Sequence, residues 1–135
     1  MRSDIAKKWQ DYAKAELEAA GILVKNPKSR FSYQLAVLHC HQAIEKILKT
    51  ITVNKGLEPK RTHDLVKLVS DNKLKLPAEF QEYVGKLNAH YQPARYPDIH
   101  YKNGVIKYDK ETSLYHFKQT KKLFRWLEKE LKSKK

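Results

Sequence analysis

The sequence predicts an all-α fold, a bundle of about five helices. Three observations carry that reading. Apolar residues recur at three-to-four spacing through most of the chain. Four Gly and five Pro leave little room for long linkers between these stretches. One long passage, from Ala89 to Tyr101, is barred from regular helix by Pro93 and Pro97. Each proline lacks an N–H and drives the residue before it toward extended backbone.

The first helix runs from 4 to 25, with Ile5, Trp9, Ala13, Leu17, Ala20 and Val24 as its stripe. Asp4 is placed to cap it, and Asn26-Pro27-Lys28-Ser29 ends it. The second helix, 30 to 54, reads as the longest. At 100° per residue Val37, Cys40, Ile44, Leu48 and Ile51 form one apolar seam. Phe31, Leu35 and Leu38 form a patch on another side, so this helix is central to a bundle or faces a second subunit. Gly56 suits a left-handed stop after Asn54.

A short third helix opens at Thr62-His63-Asp64-Leu65, with Thr62 as cap and Asp64 in the first turn. Its apolar set is Leu65, Leu68 and Val69, and Asp71-Asn72 closes it. Pro77 in a first turn starts a fourth helix, striped by Phe80, Val84, Leu87 and Tyr91. Asn103-Gly104 lies between Ile99-His100-Tyr101 and Val105-Ile106-Lys107-Tyr108, a pattern for a small hairpin or an extended loop. The last helix, 110 to 132, is capped by Asp109 and buries Leu114, Phe117, Phe124, Leu127 and Leu131.

The whole chain, 1–135, reads as one domain with a single core. Neither a membrane span nor a signal-peptide core is evident, and a lone cysteine excludes an internal disulfide; a cytoplasmic protein is expected. Cys40 falls in the buried seam and reads as an inert thiol. His39 and His41 resemble metal ligands, yet they point about 200° apart on a helix and cannot chelate one ion by themselves. Gly-rich phosphate loops, zinc-protease and nucleophile-elbow motifs, calcium loops and carboxylate clusters are all missing. Chemistry, if any, is therefore metal-free and needs no cofactor.

Twenty-eight Lys and Arg against fifteen Asp and Glu give a formal charge of +13. That field attracts polyanions such as RNA, DNA or an acidic protein. In the stiffened passage Arg95 stands five positions before His100, an always-charged guanidinium near a group suited to moving a proton. The alternative is a surface loop in which Arg95 pairs with Asp98 and the tyrosines pack on helices. His63 likewise reads either as catalytic or as a structural residue at a helix start.

Four segments in order resemble the HEPN domain family: Trp9…Ala13…Leu17, Gln42-Ala43-Ile44-Glu45-Lys46-Ile47-Leu48-Lys49, Thr62-His63-Asp64-Leu65, and Tyr91-Gln92-Pro93-Ala94-Arg95-Tyr96-Pro97-Asp98. The resemblance implies an antiparallel up-and-down helical bundle, usually a homodimer. It also implies a metal-independent endoribonuclease motif, Arg-x4-His, met here by Arg95 and His100. Arg95 would hold the scissile phosphate, with Tyr96 and Asp98 beside it. His100 would move a proton to or from the RNA. Two features depart from that pattern. The residue after the arginine is usually polar and here is Tyr96. The Arg-Tyr-Pro-Asp form also occurs in members without the histidine. Such proteins often accompany a minimal nucleotidyltransferase, which in some pairs modifies the tyrosine two positions beyond the motif histidine; here that position is Lys102, and Tyr101, directly after His100, is the candidate. Three roles thus stand open: a toxin-like ribonuclease, a non-catalytic nucleotide- or substrate-binding module beside a nucleotidyltransferase, and a structural dimer partner.

Overall fold

The computed structural model describes residues 2–98, 100–101 and 104–133, and the side chains of 4–98 and 106–133. Five α-helices are laid out as an up-and-down bundle: α1 (Arg2–Lys25), α2 (Ser32–Asn54), α3 (Leu65–Asp71), α4 (Ala78–Asn88) and α5 (Lys110–Ser133). A 3-10 turn, Pro93–Arg95, follows α4. It leads into a ribbon of β1 (His100–Tyr101) and β2 (Gly104–Val105), antiparallel with His100 opposite Val105 and Tyr101 opposite Gly104.

The central position expected of the second helix is found. α2 packs against α1, α3, α4, α5 and the 3-10 turn. Its seam Val37, Cys40, Ile44, Leu48 and Ile51 is buried throughout, joined by Ile47. Each such aliphatic side chain contributes roughly 1.5–3 kcal/mol on leaving water. Ala13 and Ala20 of α1, and Ala36 and Ala43 of α2, are also fully buried. Small residues at seven-residue intervals let helix axes approach closely. Burial pushes the Cys40 thiol up to about 12, so it is a core residue and not a nucleophile. Its hydroxyl neighbour Thr120 only partly offsets that.

Local chemistry sets the boundaries, and several differ from the sequence reading. α1 starts at Arg2, so Asp4 lies in the first turn and complements the helix dipole instead of capping it. Ile5 is 54% exposed and Ala6 takes the buried position at that end of the stripe. At 23 residues, α2 is not the longest helix; α1 and α5 each have 24. Asp64, not Thr62, caps α3: its carboxylate accepts from the Lys67 N–H at 3.2 Å, while the Thr62 hydroxyl accepts from the Asp64 N–H. Pro77 occupies the cap position of α4 in extended conformation, one residue earlier than expected. Tyr91 lies beyond α4, which ends at Asn88; Tyr83 fills the stripe in its place and is buried. Asp109 caps α5 through the Thr112 N–H at 2.8 Å, as expected, and Gly56 takes its left-handed φ of 84°.

The proline-rich passage shows the most informative difference. Tyr96, before Pro97, is extended as expected, but Gln92, before Pro93, is helical with φ −75° and ψ −54°. Two backbone bonds offset that crowding: Ala94 N–H to His90 O at 3.0 Å and Arg95 N–H to Gln92 O at 3.1 Å. The ribbon is shorter than the hairpin expected, and Gly104 belongs to β2 instead of the turn. Ile99, Lys102 and Asn103 lie outside the described residues.

Candidate functional site

The segment carrying Arg95 is held to the bundle by one amide. The Gln34 side-chain nitrogen on α2 reaches three carbonyls of the passage: Pro93 at 3.2 Å, Ala94 at 3.3 Å and Tyr96 at 2.6 Å. Pro93 and Ala94 are buried beneath, while Arg95 is exposed. A polar chain fixes the other end. The Tyr83 hydroxyl lies 2.9 Å from His116 Nδ1 and 2.9 Å from the Thr120 hydroxyl. His116 packs edge-on against His90 at 4.7 Å, and His90 Nδ1 meets the Tyr108 hydroxyl at 2.8 Å, beside β2. Burial draws His116 down to about 4, with the neighbouring His90 and Lys86 adding to the shift, and also lowers His90.

On this frame the Arg95 guanidinium lies 4.9 Å from the centre of the Tyr91 ring. No described carboxylate lies within ion-pair distance of it. The expected alternative, an Arg95–Asp98 pair, is therefore not formed; Asp98 is exposed and enters no ion pair among the described residues. Tyr96 is 47% exposed and lines a cavity of about 310 Å³ with Arg30, Gln34, Ile106 and Tyr108. The backbones of His100 and Tyr101 form β1, but their side chains lie outside the described residues.

Tyr91 joins Arg95 to a second group of side chains that the sequence does not bring together. The His63 ring stacks on Tyr91 at 4.5 Å and 14°. Its Nδ1 lies 3.1 and 3.0 Å from the two Glu45 oxygens. Glu45 is only 4% exposed and also accepts from Lys49 Nζ at 3.0 Å. His41, wholly buried, puts Nδ1 3.8 Å from Glu45 and packs against Tyr91 at 5.1 Å. Burial lowers His41 to about 4, against the opposing pull of the Glu45 charge. At the α4 end, the Asn88 side chain accepts from the Leu65 N–H at 2.8 Å and donates to Asp64 at 3.0 Å. These ties fix the start of α3, and with it His63. A cleft of about 540 Å³ opens here, lined by His63, Asp64, Asn88, Tyr91, Gln92 and Pro93.

A signal for this group is present in the chain. His41, Glu45 and Lys49 recur every fourth residue and so share one face of a helix that is otherwise apolar there. Buried charge in such a place needs partners, which here come from α2 itself and from the segment before α3. By sequence alone, His41 draws attention only through its neighbour His39. The two do face apart: His39 pairs with Glu16 and His41 faces Tyr91 and Glu45.

The HEPN domain family matches residues 6–131. The chain belongs to that family. Two solved structures share its fold. The first is TT1696 from Thermus thermophilus, 24% identical, with a TM-score of 0.74 over 92% of this chain and 96% of that one. The second is ST0689, described as an archaeal HEPN homologue, 24% identical, with a TM-score of 0.72 over 93% of this chain and 97% of that one. No curated protein sequence matches the chain significantly. The HEPN bundle thus supplies the frame, and the Gln34 clamp and the Tyr91 ring set Arg95 on its surface. Among the described residues no helix is long and apolar enough to cross a membrane.

Proposed function

We propose that this HEPN protein is a metal-independent endoribonuclease of the toxin type, working in the cytoplasm beside a minimal nucleotidyltransferase. Arg95 carries the reading. It is a guanidinium with no described carboxylate partner, backed by an aromatic ring and mounted on a clamped turn. A permanent cation so placed suits a phosphodiester and the charge that develops on it. Tyr96 and Asp98 flank it as further contacts to RNA. His100 moves the proton, and Tyr101 is the residue a partner nucleotidyltransferase would modify. The +13 charge concentrates RNA near the protein.

A homodimer completes the site in this reading. Leu35 on α2 is 40% exposed, with Phe31 and Leu38 half-buried beside it and Tyr96 exposed as well. This is the patch expected to meet a second copy.

One observation favours a second reading, a nucleotide-binding module that cleaves nothing. Tyr91 and His63 form a stacked aromatic pair at the edge of the 540 Å³ cleft, and Tyr91 also meets Arg95. Flat rings beside a cation also suit a nucleotide. Incubation with single-stranded RNA in EDTA separates the two. Cleavage lost in His100→Ala supports the enzyme. Intact RNA together with an Arg95-dependent nucleotide complex supports the module.

A further inference from the structure

We propose that His63, oriented by Glu45, is a second proton-transfer residue of this site and acts as its general base. The inference rests on the endoribonuclease reading and adds a residue to it. Cleavage of RNA by its own 2′-hydroxyl needs two proton transfers. One takes the proton from the 2′-oxygen as it bonds to phosphorus. The other gives a proton to the 5′-oxygen as the P–O5′ bond breaks. Arg95 supplies charge but cannot be the base, since a guanidinium stays protonated. His100 fills one role and leaves the other open.

The geometry around His63 fits the open role. Glu45 holds Nδ1 at 3.0 and 3.1 Å, and Lys49 holds Glu45 in turn at 3.0 Å. A carboxylate beside an ammonium accepts, so in the neutral form of the ring the hydrogen sits on Nδ1 and the lone pair on Nε2. A buried carboxylate behind a histidine fixes its tautomer and ring orientation and stabilises the imidazolium formed when it takes a proton. The His63 side chain is 53% exposed and borders the cleft, while the Glu45 side chain is buried behind it. Stacking on Tyr91 sets the ring, and Tyr91 in turn also meets Arg95. The base and the phosphate anchor thus lean on one aromatic ring. Asp64 caps α3, so His63 is not needed for that cap.

In the step proposed, His63 Nε2 takes the 2′-hydroxyl proton as the 2′-oxygen attacks phosphorus. Protonated His100 gives its proton to the 5′-oxygen. The products are a 2′,3′-cyclic phosphate and a 5′-hydroxyl, and solvent returns the two histidines to their starting states.

The test compares two substrates in EDTA: single-stranded RNA and uridine 3′-(p-nitrophenyl phosphate), whose leaving group departs without an acid. His63→Ala is expected to lose on the order of a hundredfold or more on both substrates. His100→Ala is expected to lose as much on RNA and to recover on the nitrophenyl ester. Added imidazole should restore part of the His63→Ala rate. Should His63→Ala fail to fold, His63→Gln replaces it, since its amide still reaches Glu45 but takes no proton. RNA cleavage that stays within about threefold of the unsubstituted protein in His63→Ala overturns this proposal and leaves the endoribonuclease reading intact. So does recovery of His63→Ala on the nitrophenyl ester. An unsubstituted protein that cleaves neither substrate overturns both.

Discussion

Gln34 is the residue on which the position of Arg95 depends. One amide nitrogen meets three carbonyls that no regular element satisfies. Gln34→Ala removes that partner from partly buried carbonyls and is expected to cost about 1–2 kcal/mol in urea unfolding. It should also weaken RNA binding, measured by fluorescence anisotropy, because Arg95 loses its fixed base. Binding that is unchanged while stability falls would separate the clamp from the site. The buried histidines give a second expectation at this scale. Burial holds His41 and His116 at about 4, against 6.5 in the unfolded chain, and His90 is lowered in the same direction. Between those values the unfolded chain binds more protons than the native one, so acid favours unfolding. The stability is fully present above about pH 6.5 and is lost progressively down to about pH 4, by a few kcal/mol at roughly 1.4 kcal/mol per tenfold change in proton affinity. Thermal melts across that range should show Tm falling with pH, and His41→Asn with His116→Asn should flatten the slope. A Tm independent of pH between 7 and 4 would contradict the burial argument.

At the scale of elements, two helical glycines make opposite predictions. A Cβ on Gly21 of α1 would meet the Phe117 ring of α5 at 2.8 Å, too close for ordinary contact. Gly21→Ala should therefore cost about 1–3 kcal/mol through overpacking. Gly85 of α4 has open space within 4 Å of the same point, and Gly85→Ala should stabilise by about 0.5–1 kcal/mol through helix propensity. Denaturant midpoints of the two variants check both signs. The helices themselves are legible in the sequence because their apolar period is strong and their stops are Gly, Pro and Asn. What is less legible has a physical cause in each case. Thr62 and Asp64 are both good caps, and only the fold reveals that the Thr62 hydroxyl is spent on the Asp64 N–H. Gln92 takes a helical conformation before Pro93 because the backbone bonds of Ala94 and Arg95, with the Gln34 clamp on the same turn, outweigh a local preference. Glu45 and His63 are 18 residues apart, and nothing local indicates that they meet. Arg95 and His100 are conspicuous for the reverse reason: the unusual segment carries them in one short run.

For the whole molecule, charge and assembly matter more than any one contact. The exposed Leu35, with Phe31, Leu38 and Tyr96, should be covered by a second copy. Light scattering at micromolar concentration is expected to give twice the 15.9 kDa chain mass, and Leu35→Glu should return it to one. A 15.9 kDa species at every concentration would rule the dimer out. With a formal charge of +13, binding of RNA should weaken steeply as salt rises. In the function proposed, Arg95 anchors a phosphodiester for cleavage without metal. The most direct measurement is the rate of single-stranded RNA cleavage in EDTA, compared between the unsubstituted protein and a folded Arg95→Ala variant. Cleavage to 2′,3′-cyclic phosphate ends is expected, slowed roughly a hundredfold or more by the substitution. RNA left intact by the unsubstituted protein, or cut equally fast by Arg95→Ala, would contradict it.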